Sequence, residues 1–184
     1  MLVSPSDHVI TDLERVRATV EAAIPTANDG QIVTFGIRPD RAETGYGWLE
    51  LSSKLSDNFP ETAQSLSSFV DKPDEETANA LLRNGMHLWN AGIFLFSTSN
   101  ILESIQQHAP QTLADVRNAF GAAQVDLGFT RLAAEPWSRL EDISIDYAVM
   151  EHAPNLSVMP YGGYWSDLGD WQAIWREGEA DSLG

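Results

Sequence analysis

Residues 2–37 read LVSPSDHVITDLERVRATVEAAIPTANDGQIVTFGI, and the order of patterns in this stretch decides the fold class. Leu2-Val3-Ser4-Pro5 is a short apolar run ending in a turn, as a buried strand would be. Thr11-Asp12-Leu13-Glu14 has capping-box spacing, with Thr first and Glu three residues later. Leu13, Val16, Val20, Ala23 and Ile24 then recur at helical spacing, and Pro25 is expected to close the helix. After the turn Asn28-Asp29-Gly30, Ile32-Val33-Thr34-Phe35-Gly36-Ile37 is a near-continuous β-favouring run. Strand, helix and strand in this order predict a crossover unit and an α/β class.

The pattern continues in both kinds of element. Trp48-Leu49-Glu50-Leu51 and Ser68-Phe69-Val70-Asp71 read as strands, the second halted by Lys72-Pro73. A helix is expected from Asp74 as N-cap to Asn84, with Gly85 just past its end. Leu88 to Ser97 is strongly apolar but interrupted by Asn90-Ala91-Gly92. Helices are predicted at Ser99 to His108, Pro110 to Phe120, Ile145 to His152 and Trp171 to Glu177, and a strand at Leu156 to Tyr161. With no repeat, linker or low-complexity tract, residues 1–184 read as one domain, a length that can bury a core without staples.

Composition narrows the function classes. A hydrophobic fraction of 43% with six Trp argues for a folded globule. No apolar run approaches the roughly 20 residues that span a bilayer, and the start reads as no signal peptide. The chain has no Cys, hence no disulfide framework or thiolate metal site, which fits a reducing cytoplasm. A formal charge of −16 repels nucleic-acid backbones. It also sets a puzzle for phosphate chemistry, because only 11 Lys and Arg are available.

Five stretches put a polar or glycine residue at the end of a predicted strand, where open α/β sheets bind ligands. Asp7 in Pro5-Ser6-Asp7-His8 either holds a divalent cation or caps the turn. Thr44-Gly45-Tyr46-Gly47 either lets a ligand approach the backbone or forms a tight turn. Asp71-Lys72 could bind a sugar hydroxyl and a phosphate, or be a solvated pair. Asn90, inside an apolar segment, needs its amide satisfied by a polyhydroxyl ligand or by the backbone. Asp167, between Trp165 and Trp171, could be a helix cap, a metal ligand, or both. His8, His87, His108 and His152 lack metal-ligand spacing and read as structural.

Taken together, the order of the blocks resembles the sugar-1-phosphate nucleotidyltransferase family, in its mannose-1-phosphate guanylyltransferase branch. The stretches are Pro5-Ser6-Asp7-His8-Val9-Ile10, Val33-Thr34-Phe35-Gly36-Ile37, Ala42-Glu43-Thr44-Gly45-Tyr46-Gly47 and Phe69-Val70-Asp71-Lys72-Pro73-Asp74. Trp89-Asn90-Ala91-Gly92-Ile93-Phe94-Leu95-Phe96, Ser144-Ile145-Asp146-Tyr147-Ala148-Val149-Met150-Glu151 and Trp165-Ser166-Asp167-Leu168-Gly169-Asp170-Trp171 complete the set. The resemblance implies a Rossmann-like nucleotide-diphospho-sugar transferase fold with a mixed, mostly parallel sheet. It implies that Asp7 and Asp167 share a Mg²⁺ and that Lys72 contacts the sugar phosphate. Gly45, with Tyr46 beside it, would face the sugar through its backbone. Asp71 would hold sugar hydroxyls, and Asn90 with Gly92 would form the sugar-facing strand. Asp71 stands where the family usually has Glu, one methylene longer.

The implied reaction makes GDP-mannose and pyrophosphate from GTP and mannose 1-phosphate by in-line displacement. The family opens with a strand and a Gly-rich, Arg-bearing loop that grips the triphosphate. Here Pro5 follows Met1 by four residues, so the chain reads as N-terminally truncated, and the missing part would explain the shortage of cations. A bare sheet edge would then favour a homo-oligomer or a completing partner chain. Two alternatives stand beside this reading. One is a non-catalytic sugar-phosphate-binding or assembly protein on the same fold. The other is a nucleotidyltransferase using dTTP or UTP with glucose 1-phosphate.

Overall fold

A computed structural model describes residues 1–55, 59–169 and 171–178. Strands β1 (Leu2–Val3) and β2 (Val9–Ile10) precede helix α1 (Leu13–Asn28), strands β3 (Ile32–Ile37), β4 (Trp48–Leu51) and β5 (Gln64–Val70), and helix α2 (Glu75–Asn84). Strand β6 (His87–Leu95) leads to helices α3 (Thr98–His108) and α4 (Pro110–Gly121). The hairpin β7 (Gln124–Asp126) and β8 (Phe129–Arg131), short helix α5 (Ala134–Trp137) and a π-helix (Asp146–Met150) follow. Strands β9 (Leu156–Tyr161) and β10 (Trp165–Ser166) and helix α6 (Trp171–Glu177) end the described chain.

The main sheet has six strands in the order β1-β6-β3-β9-β5-β4, and β4 also pairs with β6. The pairings therefore close into a ring of five strands, with β1 outside on β6. Leu49, Leu51, Leu88 and Val158 fill its interior, with Leu66 and Phe69 against them. Gly36 is there because a Cβ would sit 2.6 Å from both the Leu88 and Val158 side chains. Strands β1 and β3, joined through α1, both pair antiparallel with β6 and so run the same way. The expected crossover is present, with β6 inserted between its two strands.

The mostly parallel sheet needs correction. Four strands (β1, β3, β4 and β9) run one way and two (β5 and β6) the other, but among the described residues only β3 and β9 pair in parallel. The two reversed strands separate the co-directional ones, so the sheet is mixed and its neighbours are chiefly antiparallel. One face carries α1 through Ala23 and Ala27, packed with Val33, Phe35, Trp48, Trp89 and Met159. Another core joins Ile32, Phe94 and Phe96 to Ile101 of α3 and to Val149 and Met150 of the π-helix.

Local details also differ from expectation. The N-cap of α1 is Asp12, not Thr11: its carboxylate accepts from the Arg15 amide at 3.0 Å. Pro25 lies inside α1, which runs on to Asn28. Proline removes one amide donor, but Glu21, which loses that donor, is exposed and its carbonyl can be hydrated, while buried Ala23 and Ala27 keep the helix docked. Asp74 and Gly85 cap α2 as expected, Gly85 at φ 68°. Strand β6 runs unbroken through Asn90-Ala91-Gly92, with a register shift opposite Thr34 and Gly36 absorbing the irregularity.

Candidate functional site

The turn Thr44–Gly47 is the hub of the site. The Tyr46 carbonyl accepts from the Lys72 amide at 3.2 Å, and the Gly47 carbonyl accepts from the Asn90 amide at 2.7 Å. These two bonds tie the segment just past β5 and the interior of β6 to one turn. Gly47 is buried, and a Cβ there would lie 3.0 Å from the Phe69 ring and 3.3 Å from both Asn90 and the Asp71 carboxylate. A side chain at 47 would crowd these groups, so glycine gives them the closest approach.

Two sets of side chains meet at this hub. Trp89 and Asn90 are consecutive on β6 and point to opposite faces. On the Asn90 side stand Asp71, Lys72, Asp146 and Tyr147. The Asn90 amide donates to Asp146 Oδ1 at 3.1 Å. Burial raises the Asp146 pKa, and the neighbouring Asp71 charge adds to this against the opposing Asn90 bond and Lys72 charge. The neighbouring Asp71 charge raises the Tyr147 phenol pKa. Lys72 is exposed and holds φ 42°, a strained conformation for a residue with a Cβ.

On the Trp89 side, the Tyr46 hydroxyl donates to Asp167 Oδ1 at 2.7 Å. The Tyr46 pKa rises, first through burial and then through that carboxylate. Aromatic rings continue edge-to-face from Trp48 to Trp89, Tyr46, Trp165 and His8. The Arg41 guanidinium covers Trp89 at 4.7 Å from its centroid and pairs with Asp40 and Glu43. The antiparallel pair β2–β10 sets Ser166 opposite Val9, so Asp167 follows beside His8 and Asp7. The Trp165 indole donates to His8 Nδ1 at 3.2 Å. Burial lowers the His8 pKa against the pull of Asp7 and Asp167. Leu168, next to Asp167, holds φ 52°.

The structure thus gathers Tyr46, Asp71, Lys72 and Asn90 around one turn and brings Asp7 toward Asp167. Gly92 lies two residues along β6, with φ 67° and Pro5 nearby. Gly45 is exposed, and its amide donates to the Glu43 side chain at 3.1 Å. Gly47, not Gly45, is the glycine packed against Asp71 and Asn90. Asp146 and Tyr147 join the site beyond the sequence expectation; the signal for them is an Asp in the first turn of a segment whose Val149 and Met150 turn inward. Asp170 lies outside the described residues. Among the described residues no three His, Asp or Glu side chains form a metal-binding group, and no helix is long and apolar enough to cross a membrane.

The nucleotidyl transferase family model matches residues 1–182. This chain belongs to that family. A mannose-1-phosphate guanylyltransferase from Sinorhizobium fredii is 41% identical over 184 residues, covering 100% of this chain and 35% of its own length. The chain spans about 35–38% of the length of the curated relatives it matches. Among solved structures, a Helicobacter pylori protein described as mannose-6-phosphate isomerase superposes with a TM-score of 0.80 and 29% identity, over 90% of this chain and 63% of that one. A Thermus thermophilus protein described as mannose-1-phosphate geranyltransferase gives 0.79 and 30%, over 98% and 50%. The nucleotidyl transferase match and these superpositions agree with a mixed-sheet, Rossmann-like fold of which this chain holds a part.

Proposed function

We propose that this chain forms the sugar-phosphate-facing part of a mannose-1-phosphate guanylyltransferase, acting on GTP and mannose 1-phosphate to give GDP-mannose and pyrophosphate. The observation that carries the reading is that Asp71 and Asn90 pack against buried Gly47, with Asp146 on the Asn90 amide, while neighbouring Tyr46 holds the Lys72 amide through its carbonyl and Asp167 through its hydroxyl. Carboxylates suit sugar hydroxyls, and the exposed Lys72 ammonium suits the phosphate as a compact charge. In the reaction, a phosphate oxygen of mannose 1-phosphate attacks the α-phosphorus of GTP. A new P–O bond forms, the bond to the β-phosphate breaks, and pyrophosphate leaves with the electron pair. The attacking oxygen is already anionic, so positioning and charge neutralisation outweigh proton transfer.

Asp7 and Asp167 are the residues that would hold Mg²⁺. They fit it: both are hard oxygen donors, and Mg²⁺ takes one or two carboxylates with phosphates and water completing its shell. The Tyr46 hydroxyl occupies Asp167 Oδ1 and leaves Oδ2 for the ion. When bound, Mg²⁺ supplies charge neutralisation across the nucleotide and sugar phosphates. A reaction that consumes GTP fits a cytoplasmic location, where nucleoside triphosphates are abundant.

The test is a coupled pyrophosphate-release assay with GTP, mannose 1-phosphate and Mg²⁺, together with thermal shift by mannose 1-phosphate. Activity that is lost in Asp167→Ala supports the enzyme. A raised melting temperature without turnover supports a sugar-phosphate site that needs the remainder of a longer enzyme or a partner chain. Neither signal with mannose 1-phosphate, but both with glucose 1-phosphate and dTTP or UTP, would move the assignment to another branch.

A further inference from the structure

Asn90 looks like a ligand-binding amide, but most of its capacity is already spent inside the protein. Its Oδ1 accepts from the Thr34 hydroxyl at 2.6 Å and from the Gly92 amide at 3.1 Å. A backbone amide can only donate, so the atom facing Gly92 must be the oxygen, which fixes the side-chain orientation. An amide oxygen has two lone pairs, and both are taken. One N–H is taken as well, by Asp146 Oδ1 at 3.1 Å. A single N–H is left for anything else.

The chain of contacts begins at Thr34, which is 0% exposed in the middle of β3, a strand whose six residues are all buried. Thr34 holds Asn90, Asn90 holds Asp146, and Asp146 comes forward from the start of the π-helix. A π-turn adds a residue to the helical ladder and commonly re-aims a side chain at a functional site. Asp146 keeps its second oxygen clear of the Asn90 bond, beside Asp71 and Lys72. The Thr34 hydroxyl, which also lies 3.3 Å from the Ile93 carbonyl, fixes the Asn90 oxygen, and one Asn90 N–H in turn orients the Asp146 carboxylate.

We propose that Asp146 is a specificity-determining residue that accepts a hydroxyl of the bound sugar, and that Thr34 and Asn90 are positioning residues that aim it. The inference rests on the sugar-phosphate reading given above and adds to it which group reads the sugar. With Asp71 as the second carboxylate, the site offers two acceptors to neighbouring hydroxyls. Inverting one hydroxyl, as between mannose and glucose, removes one charge-assisted hydrogen bond. Such a loss is worth about tenfold to a hundredfold in affinity.

The experiment measures binding of mannose 1-phosphate, glucose 1-phosphate and inorganic phosphate by isothermal titration. It compares the unmodified chain with Asp146→Asn, Thr34→Val and Thr34→Ser. Asp146→Asn retains an oxygen for the Asn90 amide, and Thr34→Val is nearly isosteric, so either variant serves if the other fails to fold. The expected result is that Asp146→Asn reduces the ratio of the two sugar-phosphate affinities at least tenfold without a matching loss of inorganic phosphate binding. Thr34→Val should shift the ratio the same way by a smaller factor, and Thr34→Ser should restore it. An unchanged ratio in Asp146→Asn overturns the inference alone. So does an equal loss for all three ligands, which would mark a merely structural role. An unmodified chain that binds neither sugar phosphate overturns the parent reading, and this one with it.

Discussion

Lys72 keeps φ 42° although glycine would hold that conformation without strain. A non-glycine residue held there costs of the order of 1–3 kcal/mol, and such residues persist mainly where function requires the side chain. Lys72→Gly is therefore expected to leave the fold about 1 kcal/mol more stable, after the added chain entropy of glycine, and to weaken sugar-phosphate binding. Paired thermal melts and titrations would check it; a variant that loses both stability and binding would mean that the lysine is structural. Asp146 should show the same opposition. Its pKa lies above the ordinary aspartate value of 3.8, first because of burial. Between the unfolded and the folded pKa the native state holds more protons, so stability falls as pH rises through that window. At pH 7 the ionised form costs stability, and Asp146→Asn should melt higher than the unmodified chain. The difference should vanish as pH drops toward 3.8. Melting curves of both proteins from pH 4 to 7 decide it, and a constant difference would show that the effect is not titration.

Elements were legible where a periodic pattern met a strong punctuation mark. The caps Asp74 and Gly85 defined α2, and Ile32–Ile37 declared β3 by a near-continuous β-favouring run. The hairpin β7–β8 was not foreseen, because Val125, Leu127 and Phe129 are exposed and show no buried face to set a period. Its signal was the Leu127-Gly128 turn, both residues at positive φ. At the site, residue types were legible but roles were not: Gly45 and Gly47 look alike in sequence, and only the packing of β4, β5 and β6 separates them. Pro25 shows the same limit within one helix. A proline is a reliable stop only if the freed carbonyl has nowhere to go, and here it faces water. Pro25→Ala should restore one helical hydrogen bond and stabilise the protein by about 1 kcal/mol, below the full proline penalty because the helix has already adapted. Chemical denaturation would show this as a higher midpoint at unchanged slope. A lower midpoint would mean that the proline stabilises by restricting the unfolded chain.

The whole molecule carries two opposed tendencies toward other copies of itself. Its charge of −16 repels. Its sheet ends at β1, a two-residue strand with Leu2 at 47% and Val3 at 42% exposure, which lies at the edge of the sheet among the described residues. An edge strand presents unpaired backbone donors and acceptors and invites another strand. The two forces have different ranges. Repulsion between exposed charges reaches over a Debye length, about 30 Å at 0.01 M salt and about 3 Å at 1 M. Strand pairing acts only at contact and is little affected by salt. Raising the ionic strength should therefore remove the repulsion first and reveal association of the edge. Sedimentation velocity at micromolar protein is expected to show a smaller mean species in 0.01 M salt than in 0.5 M salt. Met1 and Phe96 form a hydrogen-bonded pair, so the amide of the next residue, Leu2, points away from β6. Replacing Leu2 by Pro removes that edge donor and should reduce the high-salt species. A single 20.3 kDa species at both salts would rule out the edge as a self-association surface. Association that weakens as salt rises would instead point to ion pairs between copies, made by cations such as Arg131 or Arg139 against the acidic surface.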